Sequence, residues 1–197
     1  MFLAETINSK SGRVSLVPPN EADDPYVSVL RSHPDTRRYL RFLPDTVDLA
    51  AATQRRLSRQ ADPSLVDFHI HTTNGEFVGT TGIFRIDTDY GNSCEVGILI
   101  MPERARGGLA TDALYTVLEY VFETRQMNRA EFQTGVDNVP MRGWLERAGA
   151  ALERTRRAVW TDPATGKYSD VCIYGILKDE WTDVVKERLR LKIFKHV

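Results

Sequence analysis

Cysteine, long apolar runs and net charge are all scarce in this sequence, and each shortage excludes a class of protein. The two cysteines, Cys94 and Cys172, are too few for a disulfide framework or a zinc site. Both lie in apolar, strand-like runs, which favours buried thiols. No segment reaches the ~20 apolar residues of a membrane span. The formal net charge of −1 gives no reason to expect nucleic acid or a membrane as a partner.

The beginning of the chain also lacks a feature. Residues 1–10 have no charged start followed by an apolar run, so we expect no signal peptide and a cytoplasmic location. The 197 residues suit one domain, and 42% hydrophobic with 27% charged residues is ordinary for a globular protein. A homodimer is left open by these numbers.

Hydrophobic periodicity predicts the fold class. Alternation over 66–73 and the hairpin signal Asn74-Gly75 predict an antiparallel strand pair, whereas 95–101 is apolar on both faces and predicts a central strand. Apolar residues on one helical face predict a long helix from 109 to 122. Further strands are predicted at 14–17, 132–136, 151–160 and 169–177, and further helices at 21–31, 48–60, 140–148 and 179–191.

We therefore predict an α/β (α+β) protein with a mixed, mostly antiparallel twisted sheet flanked by helices. One domain is expected over 1–197, with a core at about 12–181 and a basic C-terminal helix at 182–197.

The segment that indicates chemistry is the loop at Arg104–Thr111, between the central strand and the body of the long helix. A strand that enters a helix N-terminus through glycines is suited to bind an anion, because the first amides are unpaired and the helix dipole is positive there. Gly107 and Gly108 let the backbone approach a phosphate, and Arg104 and Arg106 add forked donors. Walker and Rossmann patterns are absent. Alone, the loop is also compatible with a plain turn.

The residues Arg104-Ala-Arg-Gly-Gly-Leu-Ala-Thr111 resemble the acetyl-CoA pyrophosphate motif of the GNAT superfamily, written Gln/Arg-x-x-Gly-x-Gly/Ala. Gly108-Leu109-Ala110 matches its second half, and Ala105, with an arginine on either side, stands at its Gln/Arg position. The resemblance extends to the order of elements over 14–181. Glu95-Val-Gly97 is similar to the branch of ribosomal-protein N-terminal acetyltransferases, as is Lys178-Asp-Glu-Trp181.

The resemblance implies an N-acetyltransferase that moves an acetyl group from acetyl-CoA to a primary amine, which is a small molecule, an amino acid or a protein N-terminus. It implies a GNAT-like domain in which two strands splay to form a slot for the pantetheine arm. The cofactor-binding residues that it implies are Leu99, Ile100, Met101, Arg104, Arg106, Gly107, Gly108, Leu109, Ala110, Thr111 and Asn138. Asn138 also suits the N-cap of the following helix.

Glu95 is the candidate base. An amine nucleophile must lose a proton, and a carboxylate in an apolar strand has a raised pKa unless it is paired. A structural salt bridge is an equal alternative for this residue. The tyrosine acid that many members carry in the helix after Asn138 is replaced by Leu145, beside Trp144. A non-catalytic acyl-CoA-binding sensor or scaffold of the same fold is therefore the alternative function.

Other polar and aromatic residues carry weaker signals. His69 and His71 share a strand face but have no third ligand nearby in sequence, so we interpret them as a packed or solvent-facing pair and predict no metal site. The predicted walls of the acceptor site are 37–44, the region around Trp160 and Tyr168, and the hairpin after Phe77.

Overall fold

An eight-stranded sheet is the centre of the fold in the computed structural model, which describes residues 5–196. Its strands are β1 (Ile7–Asn8), β2 (Val14–Val17), β3 (Val66–Thr72), β4 (Phe77–Asp87), β5 (Ser93–Ile100), β6 (Arg129–Gly135), β7 (Ala151–Thr161) and β8 (Tyr168–Leu177). They are ordered β1-β2-β3-β4-β5-β6-β8-β7. Neighbours are antiparallel except β5 and β6, which are parallel. The predicted mixed, mostly antiparallel sheet is confirmed.

Helices cover both faces of this sheet. They are α1 (Asp24–Ser32), α2 (Pro34–Tyr39), α3 (Leu49–Gln60), α4 (Leu109–Glu119), α5 (Val139–Ala148), α6 (Lys178–Glu180) and α7 (Lys186–Ile193). The larger core joins α4, α5 and α7 to one face, and Trp181 is buried within it. A smaller core joins α1 and α3 to the opposite face. Within residues 5–196, no helix has the length and apolar character needed to cross a membrane.

The central strand β5 contributes to both cores. Cys94 and Val96 are buried in the larger core, whereas Leu99 and Met101 pack against the smaller one. This arrangement confirms the predicted alternation, with Glu95 on the side of the smaller core. Cys94 and Cys172 are both buried and free.

The predicted boundaries were wrong where polar residues obscure the periodicity. β6 begins at Arg129, three residues before the predicted start, because Arg129 is paired across the sheet with Glu153 and also with Glu131. The short β1 and the six-residue α2 were not predicted. The α2 sequence, Pro-Asp-Thr-Arg-Arg-Tyr, is polar and too short to show a helical period.

Candidate active site

β5 and β6 pair over only three residue pairs and then diverge. Among the described residues, their register runs from Ser93↔Arg129 to Glu95↔Glu131. β5 remains paired with β4, and β6 with β8, to their ends. From Gly97 onward the residues of β5 are half-buried, whereas the three before it are buried. The divergence opens a slot of the kind that the resemblance implied.

The backbone of β5 points alternately to β4 and to this slot. The Met101 N–H donates to the carbonyl of Val78 in β4 (2.8 Å), and the Met101 carbonyl accepts from the Arg104 N–H (2.8 Å). By alternation, the groups of Leu99 also face β4, and those of Ile98 and Ile100 face the slot. The Met101 groups are thus used by the protein itself, whereas Leu99 lines the cleft, and the cofactor contacts expected for both residues stay predictions. Sequence reasoning missed Ile98.

The loop before α4 has an unusual backbone. Arg106 (φ 66°) and Gly108 (φ 83°) are left-handed, and Gly107 lies between them without a positive φ. Alternation of this kind turns successive amides toward one point, which forms an anion-binding concavity. Leu109 and Ala110 add the unpaired amides of the first helical turn. The Thr111 N–H already donates to the Gly108 carbonyl (3.0 Å).

Side chains hold the loop from outside. Arg13 donates to the Gly107 carbonyl (3.2 Å), and its Nε lies 2.6 Å from Oδ2 of the buried Asp112 in the first turn of α4. Arg104 forms an ion pair with Glu76 and does not line the cleft, whereas Arg106 does. The phosphate role of Arg104 stays a prediction, and Glu76 is the partner of its charge in this structure.

Two contacts connect α5 to the loop and to β6. Asn138 caps α5, accepting from the Met141 N–H (3.3 Å), and its Nδ2 donates to Thr134 Oγ1 (2.9 Å). Trp144 Nε1 donates to Thr111 Oγ1 (3.1 Å). The predicted N-cap is thus present at Asn138, and this residue also lines the cleft. Leu145, at the expected tyrosine position, is buried in the larger core.

Glu95 lies where the two strands begin to part. Arg85 Nη1 (2.7 Å) and Gln133 Nε2 (3.0 Å) both donate to its Oε2. Burial raises the pKa of Glu95 to about 7 against the opposing charge of Arg85, and the neighbouring Glu131 raises it further. Arg85 has φ 52° at an irregularity of β4 between Phe84 and Asp87, and such a bulge can redirect a side chain. No local sequence pattern indicates this bulge.

A cleft of about 1280 Å³ joins the slot, the loop and Glu95. Its far wall contains Tyr39, Phe42 and Trp160, and the rings of Phe42 and Trp160 pack edge to face at 4.8 Å. Five residues of segment 37–44 line the cleft together with Trp160, and their role as walls of the acceptor site stays a prediction. Tyr168 is 69% exposed and is not part of the lining.

His69 and His71 form a packed cluster with a residue distant in sequence. His69 Nδ1 (2.7 Å) and His71 Nε2 (2.8 Å) both contact Asp23 Oδ2, and Asn20 Nδ2 donates to the same oxygen (2.7 Å). Burial lowers the pKa of His69. The sequence interpretation missed Asp23. Together with the two histidines it forms a group of three possible metal ligands, whose ligand atoms lie within 4.8 Å of one another. Hydrogen bonds to one carboxylate account for this arrangement.

Known proteins match the chain in sequence and in fold. The family model of the acetyltransferase (GNAT) domain matches residues 13–151. The uncharacterized N-acetyltransferase p20 of Bacillus licheniformis is 25% identical over 155 residues, 76% of this chain and 84% of that protein.

Solved structures share the fold at lower identity. Mycobacterium smegmatis RimJ in complex with CoA-disulfide has a TM-score of 0.79 at 21% identity, over 95% of this chain and 92% of that one. Spermidine N-acetyltransferase from Vibrio cholerae, in complex with CoA and spermine, has a TM-score of 0.78 at 18% identity, over 87% and 99%. The comparisons do not confirm the branch of ribosomal-protein acetyltransferases.

The matched region of the family model contains both strands of the slot and the loop between them. The splayed backbone and the left-handed loop fit the pantetheine arm and the diphosphate of acetyl-CoA, the co-substrate of this family. The chain belongs to the GNAT acetyltransferase family and is an acyl-CoA-dependent N-acetyltransferase.

Proposed function

We propose that the chain acetylates a primary amine and that Glu95 accepts the proton which the amine must lose. One observation carries this proposal: a buried carboxyl with a pKa of about 7 lines the cleft at the point where β5 and β6 part. A base works best when its pKa lies near the operating pH.

The proposed roles in cofactor binding follow from the backbone. The amide groups of Ile98 and Ile100 bind the pantetheine arm, and the amides of 106–110 bind the diphosphate together with the Arg106 side chain. Gly107 supports this arrangement through its bond to Arg13, and Thr111 through its bond to Gly108. Asn138 supports it by capping α5. When bound, acetyl-CoA supplies the acyl group as a thioester.

In the reaction, the amine nitrogen forms a bond to the acyl carbon, and the bond from that carbon to sulfur breaks. The amine proton passes to Glu95 and from there to solvent water, and CoA leaves as a thiolate that takes up one proton from solvent, so the protons balance. Among the described residues, both hydrogen bonds to the Glu95 carboxylate fall on Oε2. We therefore assign the proton to Oε1, while Arg85 and Gln133 fix the orientation of the carboxylate.

The experiment measures thiol release from acetyl-CoA with a panel of amines, and mass spectrometry identifies the acetylated product. The panel includes free amino acids, short peptides with free N-termini, and spermidine, the polyamine in the name of the Vibrio cholerae relative. We expect at least one amine to be acetylated at a rate that depends on Glu95. Tight CoA binding without turnover of any amine would instead support the sensor or scaffold function.

A further inference from the structure

Three arginines from two helices line the same wall of the cleft. They are Arg31 at the end of α1, and Arg55 and Arg59 on α3. All three side chains are half-buried, and their charges act on one another. Because like charges at close range repel, this wall needs an opposite charge.

Among residues 5–196, Asp67 is the one carboxylate that forms an ion pair in this cluster, and Asp62 acts on Arg59 alone. Asp67 on β3 is the single acid whose charge acts on Arg31 or Arg55 among the described residues. Arg59 donates hydrogen bonds to Asp67 through two nitrogens, and the distance from Nη2 to Oδ1 is 2.7 Å. Residues 5–196 give the guanidinium groups of Arg31 and Arg55 no ion pair and no hydrogen bond.

The neighbouring Arg56, in contrast, has a structural role. Arg56, next to Arg55 on α3, donates to the buried Asp24 through Nε (2.9 Å) and Nη2 (3.0 Å). The contrast between Arg55 and Arg56 indicates that Arg55 is not there to hold α3 in place. Burial and the two neighbouring arginines lower the pKa of Arg31 to about 10. The charged form of Arg31 is therefore destabilised by its surroundings in the protein.

The cluster lies on the Glu95 face of the sheet. The Arg59 guanidinium lies 5.8 Å from the Phe84 ring centre, and that ring touches Gly97 of β5, where a Cβ would come within 2.9 Å of it. The helix that follows the phosphate-binding loop, α4, packs on the opposite face. The helix whose N-terminus we propose for the diphosphate thus packs across the sheet from these arginines, which favours a different partner for them.

We propose that Arg31 and Arg55 bind an anionic group on the acceptor, so that the preferred substrate is a primary amine that also carries a carboxylate or a phosphate. This inference rests on the proposed amine acetylation and narrows its substrate class. Planar guanidinium groups bind both anions through paired hydrogen bonds. The arginines fix the anionic end of the acceptor while its amine reaches Glu95.

The test compares acceptors that differ only in the anionic group. The matched pairs are β-alanine with β-alaninamide, phosphoethanolamine with ethanolamine, and a C-terminally amidated Ser-Glu peptide with its amidated Ser-Gln counterpart. We expect the anionic member of at least one pair to have a kcat/KM about 10- to 100-fold higher, as for hydrogen bonds between charged groups. The pair with the largest ratio distinguishes carboxylate from phosphate.

Variants connect the preference to the cluster. Arg31→Gln and Arg55→Gln are each expected to lower the anionic-to-neutral ratio of kcat/KM about tenfold, and the double variant to abolish the preference. Arg157→Gln on the exposed β7 is the matched control, since it removes the same charge away from the cleft. Calorimetric titration with acetyl-CoA shows whether each variant still folds and binds the co-substrate.

The outcomes separate this inference from the proposed function. Equal kcat/KM values within every pair, or a preference for neutral amines or polyamines, would overturn the anionic acceptor but leave amine acetylation intact. A tenfold loss of acetyl-CoA affinity in Arg55→Gln would also overturn it, because the cluster would then serve the co-substrate. Calorimetric binding of the anionic compounds that depends on Arg31, without acetylation of any amine, would support the anion site and contradict the proposed function.

Discussion

The two ends of the cleft are built in different ways. At the end that we propose for acetyl-CoA, the cofactor end, consecutive residues of β5, the loop and α4 supply backbone amides, and Arg13 contacts the loop. At the end that we propose for the acceptor, side chains converge from α1, α2, α3 and β7, and Arg31 and Arg55 form no ion pair with any residue of 5–196.

The difference shows how specificity and common chemistry can be divided in one fold. A site made of main-chain groups depends on backbone conformation, so it tolerates changes of side chain outside its glycines. A site made of converging side chains changes its ligand whenever one of them changes. The predictions below test this division.

The largest effect is expected for Gly108→Glu. The variant forces a side chain into a left-handed conformation and places negative charge where we expect the diphosphate. The Kd for acetyl-CoA should rise about 1000-fold or more, as measured by calorimetry. Gly166→Glu is the matched control, because Gly166 has φ 66°, lies in the turn between β7 and β8, and has open space around it. If both variants bind acetyl-CoA as the parent does, the loop is a plain turn.

Glu95→Gln should affect turnover and leave acetyl-CoA binding intact. We expect kcat to fall about 100-fold or more, the usual contribution of a general base. In the parent, the rate should rise with pH through about 7, because the base must be deprotonated, and the variant should lack this rise. Glu131→Gln is the control: it removes a charge that raises the pKa of Glu95, so it should shift the midpoint downward.

The same substitution has a consequence for stability. The folded-state pKa of Glu95 lies above its ordinary value of 4.5, so the unfolded chain ionises first as the pH rises. This carboxyl therefore lowers the free energy of unfolding progressively between about pH 4.5 and pH 7. In chemical denaturation, the free energy of unfolding should fall less with rising pH, or rise more, in Glu95→Gln than in the parent across that range. An identical dependence would contradict the raised pKa.

Arg13→Met tests whether the cofactor end depends on its external support. The variant removes the bond to the Gly107 carbonyl and the ion pair with buried Asp112. We expect the free energy of unfolding to fall by about 1–3 kcal/mol and the Kd for acetyl-CoA to rise about tenfold. Lys10→Met is the control, because Lys10 pairs with Glu119 at the far end of α4, where exposed pairs contribute little. Equal effects of the two variants would show that the support is not specific to the loop.

Trp144→Phe should have the smallest effect. It removes the hydrogen bond to Thr111 Oγ1 and keeps most of the aromatic volume. The Kd for acetyl-CoA should rise about threefold, as expected for one neutral hydrogen bond. Thr111→Val removes the same bond from the other side, so the double variant should be no weaker than either single one. A loss confined to the kcat/KM of the acceptor would place Trp144 at the other end of the cleft.

The cofactor end could be predicted from the sequence because its residues are neighbours in the chain. Strand, loop and helix follow one another from 93 to 119, and each has a local pattern. The direction of the β5 backbone was missed, since it depends on the register with β4, which side-chain periodicity does not encode.

The acceptor end was predicted only as a set of segments. Arg55 and Arg59 are four residues apart on a predicted helix, which was a usable signal for a charged face. Arg31, the bulge at Arg85 and the contact of Asp23 with two histidines depend on tertiary packing. Nothing in the local sequence fixes such positions.

The short pairing between β5 and β6 has a consequence for solvent exchange. The amide hydrogens of Ile98 and Ile100 belong to an interior strand, but they face the slot rather than another strand. In the empty protein they should take up deuterium at the rate of an edge strand, and a bound pantetheine arm should protect them. Deuterium uptake by the peptide 96–101 would then report occupancy of the slot without any need for turnover.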